Sequence, residues 1–193
     1  MRRTIALSLA ILGCIPGIAS AQWTLRPFAG VNFAAEHGFV DLDDAASRAQ
    51  PTLGGAVGWE SAGALGLEVE FATSPKFLKG DSGLVESGRV DTYFANASWR
   101  FGPATARFRP FVAGGVGVAR VTLDDVLDAF TSASNLVAAN AGTGVIVAAG
   151  PRIRVVGDVR YIRSQYSDTG RSGLGEANVA WWRASGGVLF RFE

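Results

Sequence analysis

The sequence is almost without cysteine, methionine, histidine and lysine. Its one cysteine is Cys14 and its one methionine is Met1, both near the start. No disulfide framework can be built from a single thiol. The one histidine, His37, leaves no common zinc set of His and Cys to assemble, so no metal is expected. Lysine occurs only at Lys76 and Lys79, and the formal net charge is +1. That balance creates no field that gathers a polyanion, so nucleic acid is not expected as a partner. Beyond the first 21 residues there is no run of about eighteen apolar residues, which excludes a transmembrane helix there. The glycine runs open no helix and so form no phosphate-cradling loop. No cofactor is therefore expected.

What is present begins with an export pattern. "MRRTIALSLAILGCIPGIASAQ" sets Arg2 and Arg3 before an apolar run from Ile5 to Ile15 and closes on Ala19-Ser20-Ala21. This is the form of a cleaved secretory signal peptide over 1–21, with one domain over 22–193. The run is too short to cross a bilayer and is broken by Pro16 and Gly17. Removing 21 of 193 residues leaves 172, a single-domain length. It also removes Arg2 and Arg3 from the 18 basic residues, leaving 16 against 17 acidic ones, a net charge of −1.

The dominant hydrophobic period in that domain is two, which predicts strands. Eight are expected, over 23–33, 51–60, 65–73, 89–101, 108–121, 136–147, 152–163 and 178–192. In the seventh, Ile153, Val155, Gly157, Val159 and Tyr161 share one face, and Arg154, Val156, Asp158 and Arg160 the other. In the third, Leu65, Leu67, Val69 and Phe71 oppose Gly66, Glu68, Glu70 and Ala72. The connections alternate in length. Those over 34–50, 74–88, 122–135 and 164–177 are long and rich in Asp, Ser and Gly, whereas "SAG", "GPATAR" and "AAGP" are short. Long links at one end and short turns at the other predict an all-β, eight-stranded antiparallel up-and-down transmembrane β-barrel.

Alternation alone does not say which face is outside, since a soluble periplasmic barrel would hide its apolar face. The aromatics decide. Trp23, Trp59, Trp99, Phe101, Phe108 and Phe192 gather towards the short-turn ends, and Phe33, Phe71, Tyr93, Tyr161 and Trp182 towards the long-loop ends. Two aromatic girdles with small apolar residues between them match a lipid-facing surface. The stretches "RPFVAGGVGVA", "VVGDVRY" and the terminal "GGVLFRF" resemble the small OmpA-like outer-membrane β-barrels, the eight-stranded family of the Gram-negative envelope, over nearly all of the mature chain. The resemblance implies a last strand read by the barrel-assembly machinery, with Gly186 (or Gly187), Phe190 and Phe192 as the signal. Glu193 after the final Phe departs from that pattern. No peptidoglycan-binding domain, and so no cell-wall tether, is expected.

The inward face then carries Arg26, Glu68, Glu70, Arg100, Arg154, Asp158, Arg160 and Arg183. Eight strands leave an interior that side chains fill, so these charges are expected to pair as a structural network. Glu68 or Glu70 should meet an Arg of the fourth, seventh or eighth strand, with Arg154 first among them. Arg placed at inward Asn140 should be tolerated if there is room. No catalytic residue is expected. His37 with Asp81 and Ser82 could imitate a lipid A acyltransferase set, but loops of this composition hold such residues anyway. Asp41, Asp43 and Asp44, and Asp124, Asp125 and Asp128, read as solvated loop charge, and "DDVLDAF" as a short helical turn. The expectation is a monomeric, non-enzymatic integral protein among outer-membrane lipid and lipopolysaccharide, with a polar filled lumen and four surface loops in a structural or surface-contact role. A small-solute or ion pore is the alternative.

Overall fold

A computed structural model describes residues 22–37, 49–78, 85–125, 132–165 and 178–192. The expected signal peptide, Asp41, Asp43, Asp44, Asp81, Ser82, Asp128 and Glu193 lie outside the described residues. Eight strands follow one another: β1 (Gln22–His37), β2 (Gln50–Glu60), β3 (Leu65–Leu78), β4 (Val85–Arg100), β5 (Phe108–Asp125), β6 (Ser132–Ala148), β7 (Ile153–Gln165) and β8 (Asn178–Phe192). Each pairs antiparallel with the next, and β8 pairs with β1, so the sheet is a closed barrel. The closing seam runs from Trp23 opposite Phe192 to His37 opposite Val179. Closure pairs every strand, which an apolar exterior requires because an open edge there would leave N–H and C=O groups without partners.

The short turns are held locally. Ser61 donates to the Leu65 carbonyl from both its N–H and its hydroxyl. Ala149 and Gly150 both donate to the Ile153 carbonyl, and Ala106 to that of Pro103. Gly102 has φ of 82°, a turn conformation that a Cβ disfavours.

At the other end the strands run further than the alternation predicts. β1 continues to His37, β3 to Leu78, β5 to Asp125 and β7 to Gln165, while β4 and β6 start early, at Val85 and Ser132. Hence His37 stands on β1 rather than in a loop, and Asp124 and Asp125 stand on β5 rather than in a helical turn. Backbone pairing needs no apolar side chain, so the ladder persists where the hydrophobic pattern has faded. The register shifts between Phe33 and Glu36, Ser74 and Leu78, and Val85 and Ser87 all lie here, where bulges commonly form. β5 has 18 residues and β6 has 17, beyond the roughly nine to eleven that a tilted strand needs to cross a bilayer.

Outside, the barrel wears a continuous apolar belt. Val57, Val69, Val116, Val137 and Val155 are exposed within it. Trp23, Trp99, Phe101, Phe108 and Phe192 are exposed at the short-turn rim, and Phe33, Phe71, Tyr93 and Trp182 at the loop-side rim. Trp59 and Tyr161 are half-buried in the same two rings. Rings meet in pairs at the loop side, Phe71 with Tyr93 and Tyr161 with Trp182, each at 5.1 Å. Inside, three phenylalanines sit opposite glycines in the ladder: Phe28 between Gly54 and Gly187, Phe94 opposite Gly117, and Phe111 opposite Gly144. A Cβ at Gly144 would stand 2.6 Å from the Phe111 ring, and one at Gly54 2.4 Å from that of Phe28. The glycines are the slots into which the inward rings fold.

Candidate functional site: the charged lumen

The middle of the lumen holds three guanidiniums and three carboxylates. Arg26 on β1 donates to Glu68 at 3.0 Å, Glu70 at 2.9 Å and Asp158 at 3.4 Å. Arg160 on β7 donates to Glu68 at 2.8 Å and to Asp158 at 3.1 Å, with Glu70 at 3.4 Å. Arg183 on β8 completes the set by donating to Glu70, and Ser185 donates to Asp158. All but Glu68 are buried, and Glu68 is half-buried. Charges this buried are tolerable only because each faces an opposite one. Arg26 and Arg183 also lie over the Phe28 ring, 5.1 and 5.2 Å from its centroid, so the ring's negative face supports both cations.

Small residues on intervening strands let these side chains meet. Arg26 is opposite Ala56, and Ala56 is opposite Glu70, so only a methyl stands between the pair. Arg160 is opposite Gly142, where a Cβ would stand 2.8 Å from its side chain. Asn96, Gly115 and Asn140 are consecutive in register across β4, β5 and β6. Over that glycine Asn140 donates to Asn96 at 2.8 Å, and Asn96 donates to Glu68 at 3.2 Å. Asn140 is therefore packed and bonded, and the room that an Arg there would need is taken.

Arg100 and Arg154 do not join this group. They lie at the short-turn end with three residues outside the network expected from the sequence: Glu60, Arg109 and Arg191, the last of which alternation does place on the inward face of its strand. Glu60 is 3.1 Å from Arg100 and 3.4 Å from Arg191. Arg109 donates to the carbonyls of Gly63 and Gly102, and Arg154 to that of Ala104, so both guanidiniums hold the short turns. The expected pairing of Glu70 with Arg154 is thus replaced by Glu70 with Arg183, Arg26 and Arg160. The reason is stagger: Arg154 is the second residue of β7 and pairs with Leu189, near the strand's start, whereas the tilt of the strands brings Arg183 level with Glu70. Glu60 was missed because it is the last residue of its strand, where alternation no longer assigns a face.

The lumen is also less polar than expected. Val90, Phe94, Ala119, Leu136, Ala138, Ile162 and Trp181 form a buried apolar cluster on the loop side of the charges, with Val179 packed against it. A second cluster, Phe111, Ala113, Ile146, Val156 and Leu189, lies on the short-turn side. Between the two charge groups a small, partly open cavity of about 30 Å³ is lined by Arg26, Glu60, Glu68, Arg100 and Arg160 and by the apolar Phe111, Ile146, Val156 and Leu189. The charged network is thus flanked by one apolar cluster towards the loops and by a second, with the small cavity beside it, towards the turns.

On the last strand Gly186, Phe190 and Phe192 share the outward face, with Gly186 and Phe192 exposed and Phe190 half-buried. A Cβ at Gly186 meets nothing within 4 Å, whereas one at Gly187 would press on Phe28. Packing therefore demands glycine at 187 and not at 186. His37 is described in the backbone ladder only, opposite Val179. Among the described residues no three His, Cys, Asp or Glu side chains gather as a metal site.

No protein-family model matches the chain, and no curated protein matches it by sequence. Solved structures do match. Neisserial surface protein A superposes with a TM-score of 0.68 at 16% identity, over 90% of this chain and 99% of that one. The N-terminal β-barrel domain of Pseudomonas aeruginosa OprF gives 0.57 at 17%, over 89% and 97%. Outer membrane protein W of E. coli gives 0.54 at 18%, over 90% and 98%. At such identities the likeness establishes the fold, which is that of the eight-stranded outer-membrane β-barrels.

Proposed function

We propose that this chain is an integral outer-membrane barrel whose filled lumen is structural and whose loop end is its working surface, with no catalytic role. The observation that carries this reading is the inversion of the molecule: a closed ring of exposed aliphatic and aromatic side chains outside, and mutually paired charges inside. In water that distribution would expose a wide apolar surface; in a bilayer the same surface faces lipid, while the buried charges are offset by their pairing. Arg89, Arg120 and Arg163 supply the orientation. They point outward and are exposed, just beyond the loop-side aromatics Tyr93 and Tyr161. Cations at that depth suit the phosphates of lipopolysaccharide in the outer leaflet, and the short turns then face the periplasm. The exposed outward face of β8, with Phe190 and Phe192 and a Gly186 that packing does not require, fits a segment read by the barrel-assembly machinery. Cell fractionation combined with heat-modifiable gel mobility tests the reading. The expected product partitions with outer membranes and migrates faster unheated than boiled; a soluble product whose mobility ignores heating would refute it.

A further inference from the structure

The two charge groups of the lumen differ in balance. In the middle, Arg26, Arg160 and Arg183 face Glu68, Glu70 and Asp158, cation for anion. At the short-turn mouth, Arg100, Arg109, Arg154 and Arg191 surround Glu60, the one carboxylate among them in the described residues, with Glu68 the next to act on Arg100. Four guanidiniums repel one another there, and one carboxylate does not neutralise them. Arg100, Arg109 and Arg154 are buried. Arg100 Nη1 and Arg109 Nε are buried donors that meet no hydrogen-bond acceptor, and Arg191 Nε, 3.4 Å from Glu60 Oε2, makes an ion pair there but no aligned hydrogen bond, so that both Glu60 oxygens are likewise without one. A desolvated donor without a partner is costly, more so when charged. Arg100 also lines the small, partly open cavity, and the larger apolar cluster lies on the loop side of the balanced group.

We propose that this mouth is a binding site for a phosphate-type oxyanion, held by Arg100, Arg109 and Arg191 and entered from the short-turn end. Several oxygens in one anion match several guanidinium donors, and the anion supplies the charge that Glu60 does not. The phosphate could be a free ion or the headgroup of a phospholipid at the rim. The site rests on the barrel's folding rather than on its location, so its failure is separable from a failed fractionation.

The test uses the full chain folded in a maltoside micelle at low ionic strength, with folding confirmed by heat-modifiable mobility. Inorganic phosphate is titrated by phosphorus NMR line broadening and by calorimetry. In a second arm phosphatidylglycerol is added to the micelle and competed with inorganic phosphate. Saturable binding of either probe is expected, and it should weaken as salt rises. Arg100→Gln and Arg191→Gln should each weaken it about tenfold or more, as expected for losing a charge-assisted hydrogen bond. Arg191 is only half-buried, so its variant keeps the test open if Arg100→Gln does not fold. Both arms are repeated on Glu193→Gln, which removes the side-chain carboxylate that follows Phe192 in the sequence. Free phosphate competing against the lipid identifies the ion as sufficient; binding of lipid alone identifies the headgroup. No binding of either probe to either chain, or unchanged affinity in folded Arg100→Gln and Arg191→Gln, overturns the site.

Discussion

Arg26 reaches three carboxylates because its ladder neighbour is Ala56, and Glu70 is held by three guanidiniums because Gly142 leaves space beneath Arg160. Removing one partner of such a set strands the others in a medium that cannot solvate them. Glu70→Gln is expected to destabilise the folded barrel by about 3–5 kcal/mol, and Glu70→Gln with Arg183→Met by clearly less than the sum of the two single changes. Glu70→Gln with Arg154→Met should instead be additive, since Arg154 belongs to the mouth. Urea titrations of refolding into lipid vesicles measure all of these, and additivity for the Glu70–Arg183 pair would dissolve the network. The glycine slots make a parallel case. At Gly144 a Cβ would stand 2.4 Å from the Gly157 carbonyl oxygen as well as against Phe111, and backbone cannot yield as a side-chain tip does. Gly144→Val should cost about 1–3 kcal/mol in the same titration, while Gly186→Ala, with open space around it, should change stability little.

At the scale of the strand, the two faces and two ends follow different rules. Val155 lies exposed on the outward face of β7 within the apolar belt, and Asn135 lies exposed on β6 opposite Arg120, beyond the belt. Val155→Arg is expected to cost about 2–4 kcal/mol and Asn135→Arg about 0–1, the depth dependence of a charge facing lipid. Equal penalties at the two positions in lipid refolding would contradict the placement of the belt. Eight strands and their faces were legible in the sequence because a lipid-facing surface forces strict alternation, as in Ile153 to Tyr161. The loop-side ends were not, because residues such as Thr122, Asp124 and Asp125 pair through their backbones without marking a face.

For the whole molecule the question is whether a path runs from end to end. Phe94, Leu136, Ile162 and Trp181 pack together inside the barrel on the loop side of the charges, and an apolar constriction excludes ions by excluding their water. Purified protein in a planar bilayer is therefore expected to show no steady conductance, and Phe94→Ala with Trp181→Ala to introduce openings. Steady, reproducible conductance of the unaltered barrel would establish the pore instead.

Composition and period alone determined that this chain forms eight strands, that they close into a ring, and which residues face outward. Those properties depend on nearest neighbours along the chain and on the solvent that each face meets. Which inward charges meet, and which stand apart, was decided only in three dimensions. Partnerships such as Glu70 with Arg183 join residues 113 positions apart through the stagger of tilted strands. They also depend on how small the residues between them are. Neither quantity is carried by any single segment, and the separation of a balanced middle from a cationic mouth follows from both together.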